Sequence, residues 1–224
     1  MLDKRLLTLQ DMLDIQDRLN EITVSNWKDS LTVDHYRVAM FAEFSELMDS
    51  VSWKWWKKCD NHDVWNLKVE AIDILHFALS VLILNGYQNH YECSGDLNWG
   101  YMPNEIVRVK ISSDDGQLNH KEFIASALSM LGSSTEVAYD AFFRSVGMTA
   151  EEISAIYIAK STLNEIRQHQ GYKSGDYTRV KGGKDDNEWL EGIVNDYIAS
   201  PNATCSDMRK SIFTMFECSL EDYT

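Results

Sequence analysis

The sequence predicts an all-α protein, and three observations predict it. Only two prolines and eleven glycines interrupt the 224 residues, so little in the chain forces the turns that a β fold needs. Apolar residues recur at helical spacing in several long stretches, beginning with Leu2, Leu6, Leu9 and Leu13. Residues that start and stop helices stand at the ends of those stretches.

Taken in order, the spacing predicts helices over 2–22, over 34–52 with Thr32 or Asp34 as N-cap, and over 62–85, which stops at Asn85-Gly86. The stretch 91–119 has little helical period and a weak strand-like core at 106–111, so it reads as an irregular insertion or long loop. Helical spacing returns over 120–132, 134–146 and 149–169, the last opened by Thr149 with Glu152 three residues on, a capping-box pattern. A glycine-punctuated loop covers 171–187, and 188–199 and 205–219 read as two closing helices. The whole is read as a single domain over 1–224, in which 91–132 is open to reading as a mobile insertion and 200–224 as a C-terminal helical extension.

Composition bounds the function. Hydrophobic residues make up 44% and charged residues 25%, an ordinary soluble balance. Cys59, Cys93, Cys205 and Cys218 lie far apart with no CxxC pair, so reduced thiols in a cytoplasm are the simpler reading than a disulfide framework or a zinc site. The opening residues carry charges throughout, unlike a signal peptide, and the longest apolar run, 71–84, contains Asp73 and His76 and is too short to span a bilayer. A formal charge of −14 repels polyanions and argues against a broad nucleic-acid surface. A small anionic substrate remains compatible if metal ions and a local basic cluster receive it.

The second and third predicted helices carry Glu43-Phe-Ser-Glu46 and Glu70-Ala-Ile-Asp73. Spacing of i, i+3 puts each pair on one helix face. The neighbours on that face are Tyr36, Ala39, Met40 and Leu47 for the first pair, and Leu67, Ile74 and Phe77 for the second, so both pairs are expected to point inward. Carboxylates gathered in a core repel and lose hydration, and a hard divalent cation with oxygen ligands is the economical remedy. Magnesium, which keeps waters and takes a few carboxylates with substrate phosphates, suits the set. A di-iron bundle would want two Glu-x-x-His pairs, and only His76, three after Asp73, is placed for anything like one.

A basic loop is the other anomaly. From Arg167 to Lys184 there are five cationic residues (Arg167, Lys173, Arg179, Lys181, Lys184) against the single acid Asp176. Glycines at 171, 175, 182 and 183 would let the backbone approach an anion. Lys173 and Arg179 are the preferred phosphate contacts, with Tyr172 and Tyr177 in support. Gln16 and Asn20, at i, i+4 on the first helix, would present two amides in one direction. An amide matches the hydrogen-bonding edge of uracil and, after rotation, that of cytosine. Trp55 or Trp56 could stack on a pyrimidine or equally pack an interface. His76 fits a hydrogen-bonded core residue, or one that orients the acids, better than a direct metal ligand.

Together, Glu43-x-x-Glu46 and Glu70-x-x-Asp73 resemble the metal motif of the all-α NTP pyrophosphatases. The run Ser52-Trp-Lys-Trp-Trp-Lys57, His76, and Leu163–Asn187 (LNEIRQHQGYKSGDYTRVKGGKDDN) are similar to the dimeric dUTPases within that superfamily. The motifs stand in the expected order from about residue 16 to 187. The chain departs from the pattern after Tyr177, where Val180-Lys181 and Asp185-Asp186-Asn187 replace the usual tryptophan and glutamate before Asp-Asn.

The resemblance implies a helical bundle and a homodimer in the cytoplasm, that of a host if the chain is phage-encoded. It implies magnesium-dependent hydrolysis of dUTP, and of dUDP, to dUMP. Two or more Mg2+ ions would be held by Glu43, Glu46, Glu70 and Asp73, with Glu46 as the base; the residues themselves say only that one of the four takes the proton. The resemblance also brings Lys54, Trp55, Lys57, His76, Asn164, Arg167 and Asn187 into the substrate set beside Gln16, Asn20, Tyr172, Lys173, Tyr177 and Arg179. A dCTP or broader dNTP pyrophosphatase of the same fold is the rival of the same class. A non-catalytic acidic helical interaction protein is the rival of another class.

Overall fold

A computed structural model describes residues 2–51, 56, 63–86 and 146–216. Seven helices lie among them: α1 Leu9–Thr23, α2 Trp27–Ser30, α3 Val33–Asp49, α4 Val64–Leu84, α5 Ala150–His169, α6 Asp186–Ala199 and α7 Cys205–Met215. The two short strands β1 Val180–Lys181 and β2 Lys184–Asp185 pair antiparallel. The all-α expectation holds. The predicted helices at 120–132 and 134–146 and the insertion at 91–119 lie outside the described residues.

The chain divides into two compact units, one of residues 1–30 with 151–224 and one of residues 31–150. In the second unit, α3 and α4 pack against each other, and Tyr36 meets Phe77 with ring centroids 6.2 Å apart. The helix α4 is buried almost all round, from Leu67 to Ile83, because apolar residues cover most of its circumference. Asp63 caps it by accepting from the Asn66 backbone N–H.

In the first unit, the predicted helix over 2–22 is shorter than expected. Thr8 stops it from extending backwards: its hydroxyl accepts from the Asp11 backbone while the Asp11 carboxylate accepts from the Thr8 backbone, a closed capping box. The residues before it are used otherwise. The carbonyls of Leu2 and Lys4 accept from the backbones of Ser206 and Cys205. Arg5 donates to the carbonyls of Ser200 and Ile198 at the end of α6 and pairs with Glu151, which satisfies helix-end carbonyls. Buried apolar residues on α1, α5, α6 and α7 (Leu13, Ile156, Val194, Ile212 among them) supply this unit's core. Arg209 on α7 pairs with the buried Glu165 of α5 at 2.7 Å.

Candidate functional site

Three of the four predicted acids come together. Glu43, Glu46 and Glu70 each offer a carboxylate oxygen, and these oxygens lie within 4.8 Å of one another. Glu70 is 7% exposed on α4. Asp73, one turn further along α4, is half-buried and stands outside this group of three. The inward expectation needs one correction: Glu43 is half-buried, but Glu46 is exposed in the chain. The reason is helical geometry. The buried residues of α3 are Tyr36, Met40 and Leu47; at 100° per residue Glu43 falls about 40° from the centre of that stripe and Glu46 about 100°. Of the apolar neighbours expected beside Glu70 and Asp73, Leu67 and Ile74 are buried and Phe77 is half-buried.

Three carboxylates this close, one of them out of water, fit a hard divalent cation through the oxygen donors they offer. His76 follows on α4 and is buried; its carbonyl accepts from the Ser80 hydroxyl at 3.0 Å. Lys54, Trp55 and Lys57 lie outside the described residues, while Trp56 is exposed.

The amide pair forms in the first unit. Gln16 Nε2 donates to Asn20 Oδ1 at 2.8 Å, and both side chains are buried rather than displayed. Tyr157 on α5 backs them, donating to the Met12 carbonyl at 2.8 Å with Gln16 Oε1 at 3.4 Å. Burial holds the Tyr157 phenol neutral, well above its ordinary titration range, despite the charge of Arg18.

The end of α5 and the loop after it form a connected polar network. The helix closes in a Schellman arrangement, Tyr172 N–H donating to the Arg167 carbonyl at 2.8 Å. Gly171 sits at φ 84°, and a Cβ there would fall 2.8 Å from the Ser174 hydroxyl, so only glycine fits. Arg167 Nε and Nη2 donate to the two oxygens of Asp186 at 2.9 and 2.6 Å, and Nη1 donates to Asn164 Oδ1 at 2.9 Å. Asp186 is 0% exposed. Burial alone would raise its pKa, but the Arg167 guanidinium outweighs that and holds the carboxyl below its ordinary value. Tyr177 also donates to Asp186, at 3.0 Å; burial and the carboxylate push its phenol above the ordinary range.

The other loop residues surround this network. Asp185 caps α6 through the Asn187 backbone N–H, and Lys160 Nζ donates to Asn187 Oδ1 at 3.1 Å. Arg179 reaches Asp185 at 3.3 Å, and Lys173 the Thr23 carbonyl at 3.4 Å; both cations are exposed. The rings of Tyr172 and Tyr177 stand 6.0 Å apart.

Arg167 and Tyr177 are therefore joined through Asp186, with Asn164 held by Arg167, and Asn187 is held by Lys160; Asp186 and Lys160 are both absent from the expected set. Lys160 is legible as an anomaly, a cation in the middle of an otherwise uncharged stretch of α5 from Ile153 to Leu163. Nothing in Asp185-Asp186-Asn187 distinguishes the carboxylate that is buried from the one that caps the helix.

Residues 8–172 match the family model described as dUTPase. The chain belongs to the dUTPase family. It is a nucleoside triphosphate pyrophosphatase of a family that hydrolyses dUTP and depends on divalent metal. The matched span includes the acid cluster, the amide pair and Lys160, Asn164 and Arg167, and ends before Lys173. No curated protein matches the chain. Among the described residues, no helix is long and apolar enough to cross a membrane.

Proposed function

We propose that this dUTPase-family chain converts dUTP to dUMP and pyrophosphate with magnesium held by Glu43, Glu46, Glu70 and Asp73. The observation that carries the reading is the convergence of Glu43, Glu46 and Glu70 oxygens within 4.8 Å in a chain of that family. When bound, magnesium screens the phosphate charge and makes water a better nucleophile. The residues do the rest. Glu46, the most exposed of the three, accepts the proton of the attacking water. Lys173 and Arg179, the exposed cations of the loop, contact the phosphates with Lys160, Arg167 and Asn187. Gln16 and Asn20 read the base edge, with Trp55 stacking on its face.

The reading includes hydrolysis of dUDP, two or more magnesium ions, a cytoplasmic location and a homodimer. Val38 and Phe41, large apolar side chains exposed on α3, support a second copy. Membership in an enzyme family answers the alternative of a non-catalytic interaction protein.

One observation favours a second substrate. Gln16 donates one amide hydrogen bond to Asn20, and a pair of amides can reverse together to meet cytosine. The test is a panel of deoxynucleoside triphosphates with magnesium and analysis of products. Turnover of dUTP to dUMP and pyrophosphate is expected; turnover of dCTP alone would transfer the assignment to cytosine, and turnover of neither would remove it.

A further inference from the structure

We infer that Asp186 is a positioning residue of the phosphate-binding loop, joining its two ends through Arg167 and holding its middle through Tyr177. The inference rests on the proposed nucleotide reading for what the loop binds. Arg167 lies in the last turn of α5 and Asp186 in the first turn of α6, 19 positions apart. The segment between them carries Lys173, Tyr177 and Arg179. Two parallel N–H···O bonds fix the angle between guanidinium and carboxylate, which a single contact would not. The pair closes the loop at its stem, and the Tyr177 hydroxyl ties the middle of the loop to the same carboxylate.

The energetics favour a clasp over a decorative ion pair. The carboxylate is 0% exposed and Arg167 is buried with it, so either charge left alone would be stranded out of water. The side chain is also shared out fully enough to orient its partners. Asp186 takes Nε and Nη2 of Arg167, which leaves Nη1 aimed at Asn164. Arg179 Nε stands 3.8 Å from the same Asp186 oxygen. One buried carboxylate thereby touches or aims four residues of the proposed substrate set without being placed to meet an anion itself. A preformed loop binds phosphates without first losing its own conformational freedom, so the clasp acts on affinity rather than on the chemical step.

The experiment is a double-mutant cycle in the full chain with Asp186→Asn and Arg167→Lys, read by dUTP kinetics and by calorimetry of pyrophosphate with magnesium. Asp186→Asn should raise KM about tenfold or more and weaken pyrophosphate to match, with kcat within about threefold and deoxyuridine affinity unchanged. The double variant should lose less than the product of the two single losses, since both substitutions break the Arg167–Asp186 contact whatever Arg167→Lys also costs at the phosphates. A folded Asp186→Asn protein with parental KM and pyrophosphate affinity overturns the inference, as do losses that multiply in the double variant. Should Asp186→Asn fail to fold, Tyr177→Phe removes the loop-side link alone and must weaken pyrophosphate binding in the same way, or the clasp is wrong. A parent that binds pyrophosphate yet leaves dUTP intact would refute the substrate reading and leave the clasp measurable.

Discussion

Lys160 donates a hydrogen bond to Asn187 Oδ1 across 3.1 Å, from a side chain that is 2% exposed in the middle of α5. Asn164 follows it by four residues, on the same face. A buried ammonium is costly to keep, and a binding site for an anion is a sufficient reason to keep it. Replacing Lys160 with Met preserves length and removes the charge. The expected result is a fall in kcat/KM for dUTP of about 10- to 100-fold, with a melting temperature near or above that of the parent. Parental kinetics would return Lys160 to the core.

The acid cluster leads to a pair of measurements on metal. A cation that binds the native state alone stabilises it by mass action, so magnesium should raise the melting temperature at neutral pH, and Glu70→Gln should shrink that rise. Glu46→Gln should cut turnover by about 10²-fold or more if Glu46 is the base, while magnesium still stabilises the protein. Full activity in excess chelator would rule out the metal reading; full activity of Glu46→Gln would move the base elsewhere.

Helix spacing carried most of the fold, because periodicity and caps are local properties. Thr32 and Asn85 mark real helix ends. The first helix was overextended because Leu2 and Leu6 fit the helical period; only the pairing of Leu2 and Lys4 with Ser206 and Cys205 shows why the chain leaves it. The acids were legible in part. Their spacing put each pair on one helix face, but the exposure of Glu46 depends on how wide the buried stripe of α3 is, and its borderline residues do not set that width. The basic loop was legible as a charge reversal. Its clasp was not, since an ion pair between residues 19 positions apart leaves no local pattern.

Acid should unfold the protein through its buried carboxylates. Asp186 and Asp11 both have folded pKa values below the ordinary 3.8; burial opposes this in each, and Arg167 and Lys4 respectively overcome it. The native state therefore binds fewer protons than the unfolded chain, and stability rises with pH across that interval. The contribution is complete above that ordinary value and is lost as pH falls through the depressed folded values. Melting temperature followed from pH 6 down to about 2 should fall mainly below pH 4. In Asp186→Asn that part of the fall should be smaller. An unchanged acid profile in the variant would mean that the carboxylate is not ionised in the native state.

The position of attack separates two routes to dUMP. In the proposed arrangement the acids and the cations of the loop serve the phosphate chain, while the amides and Trp55 serve the nucleoside. Resemblance to the dimeric dUTPases implies attack at the β-phosphorus, with dUMP as the leaving group. dUDP also offers a β-phosphorus, so it should be turned over to dUMP and phosphate. An enzyme that attacks the α-phosphorus and relies on γ-phosphate contacts would instead leave dUDP intact and be inhibited by it. Hydrolysis in ¹⁸O-labelled water, followed by mass analysis of both products, distinguishes the two. Label in pyrophosphate, together with turnover of dUDP, is the expected outcome. Label in dUMP with inert dUDP would sink the β-attack reading, and would make the loop cations γ-phosphate contacts.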